Sequence, residues 1–491
     1  MSKKKRITID PITRLEGHGK IEIFLNDDGN VDETYFQVPE LRGFEKFAEG
    51  RPVEEMARIT ARICGVCPEA HIMAAGKAAD AAYNVKIPSA AEKLRRIIYN
   101  AFFVGDHTTH FYALSGPDFV VGPDAPAEER NLIGVIKKVG REVGGKVIQM
   151  RKMQHRVSQI LGGRQSHPVC VVPGGVPKGL TDDAEYAEIC EIADYALEFA
   201  KFTFELFDDL VLSNQEYVDL IVGDTFTHET HNMGLVNENN QVDFYDGDIR
   251  VVSCEGDEIV KFAPEEYLDN IEERVERYSY LKYPYLKAKG WKGFVGGPDS
   301  GVYKATPLSR LNVSESMSTP LAQAEYEKMY DTLGGRPVHH TLATHWARII
   351  ELMNAAEQLK MLTEDEEVRS DNFRTLPEEK PDEGIGVVEA PRGTLYHNYK
   401  TDENGIVEKA NLIVGTTNNH APITMSIKKA ASSLIKNGEV NDGILNMIEM
   451  AFRAYDPCFS CATHSLPGEM PLQVKIFDSE DKLVEELNRN G

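Results

Sequence analysis

Two pairs of cysteines, each with the spacing C-x-x-C, stand near opposite ends of this 491-residue chain. The first pair is Cys64 and Cys67, and the second pair is Cys458 and Cys461. Each spacing brings two sulfur atoms together on one short turn. If the fold also brings the two pairs together, they form a set of four thiolates. Soft sulfur ligands of this kind select a soft transition metal rather than calcium or magnesium.

Several kinds of sulfur site have to be distinguished. A structural zinc site usually gathers its pairs within one small module, about 15–20 residues apart, whereas most of the chain separates these pairs. A dithiol redox site needs only one pair, typically in a thioredoxin-like unit that this sequence does not show. A four-cysteine zinc or iron–sulfur protein with a non-catalytic, electron-transfer role stays open as an alternative. The residues alone therefore favour a metal site without naming the metal.

The composition is typical of a globular protein with an acidic surface. Hydrophobic residues make up 42% of the chain, charged residues 27%, and the formal net charge is −24. This charge argues against a nucleic-acid partner, and no apolar stretch approaches the roughly 20 residues of a membrane span. We therefore expect a soluble cytoplasmic protein without direct membrane insertion. The other cysteines, Cys170, Cys190 and Cys254, are expected to be core thiols.

The first half of the chain is predicted to be mainly helical around the first cysteine pair. Alternation on both sides of a turn at Asp27–Asn30 predicts a β-hairpin over residues 20–38. Apolar periodicity predicts helices over residues 52–82 (broken after Cys67 by Pro68), 89–114, 127–161 and 182–212. His107 and His110 share one face of the second helix. We interpret them as core histidines rather than as a metal-binding pair.

The second half is predicted to mix strands and helices before the second cysteine pair. The predicted strands are Val242–Tyr245, Ile249–Ser253, Ile259–Phe262, Gly386–Ala390, Gly393–Tyr399 and Ile406–Val414. A helix over 319–362 is interrupted at Gly334–Pro337, and two helices lead up to Tyr455. Beyond His464 we expect a strand at Leu472–Phe477 and a polar helical end. The predicted fold is mainly α, with small β excursions around a long helical bundle.

The residues around each cysteine pair resemble the large, catalytic subunit of nickel–iron hydrogenases. The first pair has the form R-x-C-G-x-C and is followed by His71, and the second has the form D-P-C-x-x-C-x-x-H and ends at His464. Further motifs of that family occur in the same order, namely Arg14–His18 (R-x-E-G-H), Arg42–Glu45 (R-G-x-E), Asp106–Tyr112 (D-H-x-x-H-F-Y) and Ala390–Gly393 (A-P-R-G). The wording of Cys67–His71 and Gly116–Ala125 is similar to the cytoplasmic, viologen-reducing branch. That branch does not reduce the deazaflavin coenzyme and is associated with heterodisulfide reductase.

The resemblance implies reversible heterolytic cleavage of dihydrogen at a nickel–iron centre. It implies that Cys64 and Cys458 are terminal ligands of nickel. It further implies that Cys67 and Cys461 bridge nickel to an iron that carries carbon monoxide and cyanide. Cys458 would be the first proton acceptor, and Glu16 would pass the proton outward.

The resemblance also implies roles for the residues around these ligands. Arg392 would lie over the iron and pair with cyanide and with Asp456 or Asp106. Thr416 would offer its hydroxyl to the other cyanide, although Gly415 stands where other branches often carry proline. The two remaining roles are a hydrogen bond to a bridging sulfur from His71 and a magnesium (or iron) site formed by Glu45 and His464.

Partners and processing follow from the same resemblance. Iron–sulfur clusters would lie only in a partner, the small subunit, which would pass electrons through an acceptor protein to a heterodisulfide reductase complex. Metallochaperones would load the metals. A maturation protease would separate the hydrogenase domain, residues 1–464, from a C-terminal extension, residues 465–491.

Overall fold

The structure is a computed structural model that describes residues 5–464, 472–477 and 482–489. Helix accounts for 49% of it and strand for 18%. The predicted fold, a mainly helical bundle with smaller β elements, is confirmed. The α-helices are Phe44–Ala48, Met56–Thr60, Pro68–Ala82, Ser89–Thr109, Leu132–Val139, Arg141–Gly162, Asp183–Phe207, Gln215–Val222, Tyr267–Asn270, Pro307–Val313, Pro320–Leu333, Thr344–Thr363, His420–Leu434, Asp442–Arg453 and Phe459–Ala462.

The helix Thr344–Thr363 lies at the centre of the bundle. It packs against Ser89–Thr109 and Asp183–Phe207, and Arg141–Gly162 packs against both of these neighbours. Most of its side chains are buried around its whole circumference, which is expected for a helix enclosed by other helices. The long helices that the sequence predicts therefore form the core that supports the site.

The first cysteine pair lies on a turn between helices. The sequence predicts one helical region over 52–82, but the helix Met56–Thr60 and a short 3₁₀ turn end before Cys64. A new helix begins at Pro68, with Cys67 as its N-cap residue. Proline is well suited to the first turn of a helix because the N–H that it lacks has no partner there. Pro68 therefore starts the second helix instead of breaking the first.

Three other predicted helices differ in detail. The region 127–161 is two helices, because Gly140 between them has φ 93°, which is incompatible with a continuous α-helix. The helix Ser89–Thr109 continues into π-helical turns over His110–Ser115 and Pro117–Val121. The region 319–362 is interrupted as predicted, between Leu333 and Thr344.

The described strands form five small sheets. They are Arg6–Ile9, Lys20–Leu25 and Val31–Gln37; His231–Val236, Asp248–Val252, Glu258–Phe262 and Tyr303–Lys304; Ile271–Val275 and Lys282–Leu286; Glu383–Ala390, Gly393–Thr401 and Val407–Ile413; and Leu472–Phe477 with Leu483–Arg489. The prediction of a strand at Val242–Tyr245 is wrong, because that segment makes one isolated bridge and then a turn. The fully buried strand His231–Val236 was missed because it shows no alternation of polar and apolar residues.

The sheet Glu383–Ala390, Gly393–Thr401, Val407–Ile413 packs on the helix Pro68–Ala82. Gly386 allows this close approach, since a Cβ there would lie 2.1 Å from the carbonyl oxygen of Ala74. The tight turn between the first two strands, with φ 136° at Gly393, presents Arg392 to the cysteines.

The tail strand predicted at Leu472–Phe477 is confirmed. The polar helical end is wrong where the structure describes it, because Leu483–Arg489 is a strand that pairs antiparallel with Leu472–Phe477. Cross-strand hydrogen bonding here overrides the helical preference of the local sequence. Residues 478–481 and 490–491 of that predicted element lie outside the described residues.

Candidate metal centre

The four cysteines of the two C-x-x-C pairs meet in the interior. Their sulfur atoms all lie within 4.8 Å of one another, with Cys64 and Cys458 3.3 Å apart and Cys67 and Cys461 3.4 Å apart. None of the four residues is more than 4% exposed. The prediction that distant pairs form one set of sulfur donors is confirmed.

Backbone hydrogen bonds fix both turns. The N–H groups of Val66 and Cys67 donate to the sulfur of Cys64, at 3.2 and 3.4 Å. The N–H of Cys458 donates to the hydroxyl oxygen of Thr416 at 3.1 Å. The sulfur donors are therefore held in place by the surrounding backbone before any ion is considered.

The electrostatics of the site fit a bound cation. Hydrogen bonds from Cys458 and then from the other two thiols hold the pKa of Cys64 well below its usual range. Burial raises the pKa values of Cys458 and Cys461 well above theirs. Since buried negative charges cannot accumulate without compensation, four thiolates require positive charge among them, as metal ions supply.

A cavity of about 230 Å³ adjoins the sulfurs. Its lining residues are Cys67, Ala70, His71, Ala390, Arg392, Leu395, Val414, Gly415, Thr416, Cys458 and Cys461. The Nε of Arg392 is buried and has no hydrogen-bond partner among the described residues. A buried polar group of this kind is expected to be satisfied, which indicates room for ligands that the protein itself does not provide.

Arg392 forms buried ion pairs with two aspartates. Its Nη1 lies 3.3 Å from Asp106 Oδ1, and its Nη2 lies 2.9 Å from Asp456 Oδ2. Burial raises the pKa of Asp456 to about 6, against the opposing effect of the two nearby arginines, Arg392 and Arg348. The structure therefore brings both predicted aspartates to Arg392 at once.

Two more predicted residues contact the sulfurs directly. Glu16 Oε2 lies 2.9 Å from Cys458 Sγ and also accepts a hydrogen bond from the N–H of Ser460 at 3.0 Å. His71 Nε2 lies 3.5 Å from Cys461 Sγ. Burial lowers the pKa of His71 to about 4, so its imidazole is neutral near pH 7.

Glu45 and His464 meet about one strand away from the sulfurs. Their side chains approach to 3.8 Å, between Oε1 and Nε2, and the carbonyl oxygen of Leu412 lies 2.7 Å from the same Nε2. Burial raises the pKa of Glu45 and lowers that of His464 to about 4. The carboxylate, the imidazole and the carbonyl thus converge on one point.

Several buried residues near the site escaped the sequence analysis. Arg310 and Arg348 both donate to the carbonyl oxygen of Pro391, at 3.3 and 3.2 Å, and so hold the turn that carries Arg392. Glu351 accepts two hydrogen bonds from Arg310 and one from His107. His107 is confirmed as a core residue. No local motif marks these positions, which come together only through helix packing.

The chain matches two known families. Residues 42–139 and 218–464 match the nickel-dependent hydrogenase family, and residues 6–41 match the HoxL-like family. The chain belongs to the nickel-dependent hydrogenases. It is the large catalytic subunit of a nickel–iron hydrogenase, an oxidoreductase that acts on dihydrogen, and the predicted family, activity and requirement for nickel and iron are confirmed.

Relatives from archaea and bacteria cover almost the whole hydrogenase chain. It is 47% identical over 484 residues to the F420-non-reducing hydrogenase iron-sulfur subunit of Archaeoglobus profundus, covering 98% of this chain and 99% of the relative. The corresponding values are 41%, 98% and 100% for a subunit of the F420-non-reducing hydrogenase of Methanothermobacter marburgensis. For the NAD-reducing hydrogenase HoxS subunit beta of Cupriavidus necator they are 37%, 99% and 100%.

Solved structures show the same fold. A crystal structure of an NAD+-reducing NiFe-hydrogenase in its H2-reduced state superposes with a TM-score of 0.85 at 34% identity, covering 94% of this chain and 99% of that one. A NiFeSe-hydrogenase of Desulfomicrobium baculatum shares the fold at a TM-score of 0.72 and 24% identity, covering 94% and 100%. In the part of the chain that the structure describes, no helix is long and apolar enough to span a membrane.

Proposed function

We propose that this hydrogenase subunit cleaves dihydrogen heterolytically and reversibly, with Glu16 carrying the proton and an iron–sulfur partner carrying the electrons. The observation that supports this proposal best is the contact between Glu16 and one sulfur of the four-cysteine set. Heterolysis needs a soft metal centre and a base within hydrogen-bond reach of it. The site holds both kinds of group side by side.

The four cysteines would hold nickel and iron. In this assignment Cys64 and Cys458 bind nickel alone, and Cys67 and Cys461 are shared with iron. When bound, the metals supply the Lewis acidity that polarises dihydrogen. The sulfur of Cys458 is the first proton acceptor of the chain, because it is the one that contacts a carboxylate.

Glu16 would then move the proton outward. Its carboxylate is fixed on one side by Cys458 and on the other by the N–H of Ser460. The residue is half-buried, whereas the cysteines are buried. A carboxylate that joins the closed interior to a more open region is suited to relay protons in either direction.

Arg392 and Thr416 would bind carbon monoxide and cyanide on the iron. Both line the cavity beside the shared sulfurs of Cys67 and Cys461. The guanidinium has a free, buried N–H and a compensating pair of carboxylates, Asp106 and Asp456. Such a donor suits an anionic ligand held in a dry site.

A magnesium (or iron) ion would bind between Glu45 and His464. The carboxylate, the imidazole and the carbonyl of Leu412 form a partial donor set of the kind that takes a small divalent cation together with water. This ion would tie the last residue of the hydrogenase domain to the strand Val407–Ile413.

The iron–sulfur small subunit would dock over the turn of the first cysteine pair. Arg62 and Gly65 are exposed on that turn, although Cys64 between them is only 2% exposed. The exposed segment 163–166 lies beside it, because His167 interacts with the backbone of Cys64. This surface is where an electron leaves the sulfurs through the least protein. The acceptor beyond it would be a viologen-type or heterodisulfide-reductase-type complex.

Metal analysis together with infrared spectroscopy of the purified complex tests the proposal. We expect one nickel per large subunit, together with absorptions of metal-bound carbon monoxide and cyanide. Stoichiometric zinc without nickel would instead support the non-catalytic four-cysteine alternative. Nickel without diatomic absorptions would contradict the assignment of Arg392 and Thr416.

A charge reversal tests the docking surface. Arg164→Glu places a negative charge beside the exposed turn, and we expect loss of the co-purifying small subunit. Arg141→Glu is the matched control, because Arg141 is exposed at the opposite end of the helix Arg141–Gly162. Equal recovery of the small subunit with both variants would place the interface elsewhere.

A further inference from the structure

A row of hydrogen-bonded side chains leads away from the sulfur of Cys461. His71 Nε2 lies 3.5 Å from this sulfur, and His71 Nδ1 lies 3.1 Å from His397 Nε2. His397 Nδ1 in turn lies 2.6 Å from the hydroxyl oxygen of Tyr399. His71, His397 and Tyr399 are all 0% exposed, so water cannot replace any member of the row.

The strand geometry explains how the row forms. His397 and Tyr399 are two residues apart on the strand Gly393–Thr401, so both side chains point to the same face of the sheet. That sheet packs on the helix Pro68–Ala82, which carries His71. The two imidazole rings lie 5.3 Å apart between centroids, and the ring of Tyr399 is perpendicular to that of His397, at 89°.

Both imidazoles are neutral near pH 7. Burial lowers the pKa of His71 to about 4 and, together with the neighbouring His71, that of His397 well below its usual range. A neutral imidazole carries one N–H donor and one nitrogen acceptor. The direction of any one hydrogen bond in the row therefore fixes the direction of all the others.

We propose that His397 and Tyr399 are positioning residues that fix the tautomer of His71 so that its Nε2–H points at the sulfur of Cys461. In this order Tyr399 donates to His397 Nδ1, His397 Nε2–H donates to His71 Nδ1, and His71 Nε2–H donates to the sulfur. The reverse order places the lone pair of His71 Nε2 against a thiolate. This inference rests on the proposed function, in which Cys461 is a metal-bound thiolate.

The consequence for the metal centre is electronic. A hydrogen bond donated to a metal-bound thiolate withdraws electron density from the sulfur and raises the reduction potential of the metal. Holding that bond in place through two further buried residues removes the freedom of the imidazole to switch tautomers. His397 and Tyr399 thus act on the metals without touching them.

Neutron diffraction from deuterium-exchanged crystals of the whole complex reads the tautomers directly. We expect deuterium on Nε2 of both His71 and His397, and a Tyr399 deuteron directed at His397. Deuterium on Nδ1 of the two histidines would overturn the inference. This measurement uses the unsubstituted enzyme and therefore does not depend on the folding of any variant.

Redox titration of the nickel signal in variants provides the second test. His397→Leu removes the partner of His71, and we expect a more negative nickel potential and lower turnover at unchanged nickel content. His397→Gln, whose amide can donate to His71 Nδ1, should return the potential towards that of the wild type. Tyr396→Phe is the control, since the hydroxyl of this equally buried tyrosine contacts Met233 on the other face of the strand.

The outcomes separate this inference from the proposed function. Nickel-loaded His397→Leu enzyme with an unshifted potential would contradict the inference and leave the metal site standing. Wild-type enzyme without nickel would contradict the proposed function, and the inference would fail with it.

Discussion

The sulfur of Cys458 lies 2.9 Å from the carboxylate of Glu16, although the two residues are separated by most of the chain. The backbone reinforces this contact, because the N–H of Phe459 donates to the carbonyl oxygen of Glu16 at 3.0 Å. Gly17, with φ 86°, permits it, since a Cβ there would lie 2.9 Å from the Cβ of Phe459. The N-terminal loop and the second cysteine turn therefore form one unit, which places a proton acceptor on a metal ligand.

Replacing Glu16 tests the proton route. Glu16→Gln keeps the size and the hydrogen-bonding groups of the side chain but cannot carry a proton, so we expect turnover to fall by about 100-fold or more while the nickel content stays unchanged. Glu16→Asp should retain part of the activity. His18→Gln is the control, because the side chain of His18 is 74% exposed. Turnover at the wild-type rate in Glu16→Gln would show that the proton leaves by another route.

Removing one sulfur tests the ligand set. A cysteine-to-serine change at position 64, 67, 458 or 461 leaves an incomplete set of soft ligands, and we expect nickel content and turnover to fall together, by about tenfold or more. Cys190→Ser is the matched control, since Cys190 lies on the helix Asp183–Phe207 outside the site. Full nickel occupancy in any one of the four variants would exclude that cysteine as a ligand.

The sequence revealed the ligands because their chemistry is local. Each C-x-x-C turn is written in adjacent residues, and the motifs that carry Glu16, His71 and Arg392 are short. Residues that act through packing leave no such pattern. Arg310 and Glu351, for example, form a fully buried ion pair between two helices, and neither belongs to a motif. Only the packing of the helices Pro307–Val313 and Thr344–Thr363 shows that they support the turn at Pro391.

The secondary-structure errors have a similar origin. The strand His231–Val236 is buried on both faces and so lacks alternation, while Gly140 and Pro68 change the chain direction through backbone geometry. The partner of His464 near the proposed cation site, the carbonyl of Leu412, is a backbone atom. A sequence pattern cannot identify a backbone ligand, because every residue carries one.

Cleavage after His464 is a further prediction. Residues 465–491 follow a buried histidine whose carbonyl oxygen accepts a hydrogen bond from the N–H of Phe44 at 2.5 Å. This segment carries six acidic and three basic side chains, which suits it poorly to follow His464 inward. Mass spectrometry of active enzyme should find a C-terminal peptide that ends at His464. Active, nickel-loaded enzyme that still ends at Gly491 would contradict this prediction.

Lys304 gives a prediction for stability and pH. Burial lowers the pKa of its ammonium group from 10.5 to about 7. The unfolded chain therefore binds one more proton than the folded chain between these pH values, so the free energy of unfolding rises with pH there, by up to about 4 kcal/mol. Lys304→Met removes this contribution. Denaturant titrations at pH 7 and pH 10 should show a smaller rise for the variant than for the wild type, and equal rises would refute the argument.

Isotope exchange tests heterolytic cleavage most directly, because it needs no electron acceptor. The purified complex is incubated under H2 in D2O, and the dissolved gas is followed by mass spectrometry. We predict that HD forms first and D2 later, since the proton passes through Cys458 and Glu16 to solvent before the reaction reverses. Glu16→Gln enzyme should form HD far more slowly at the same nickel content. Nickel-loaded wild-type complex that forms no HD would contradict the account.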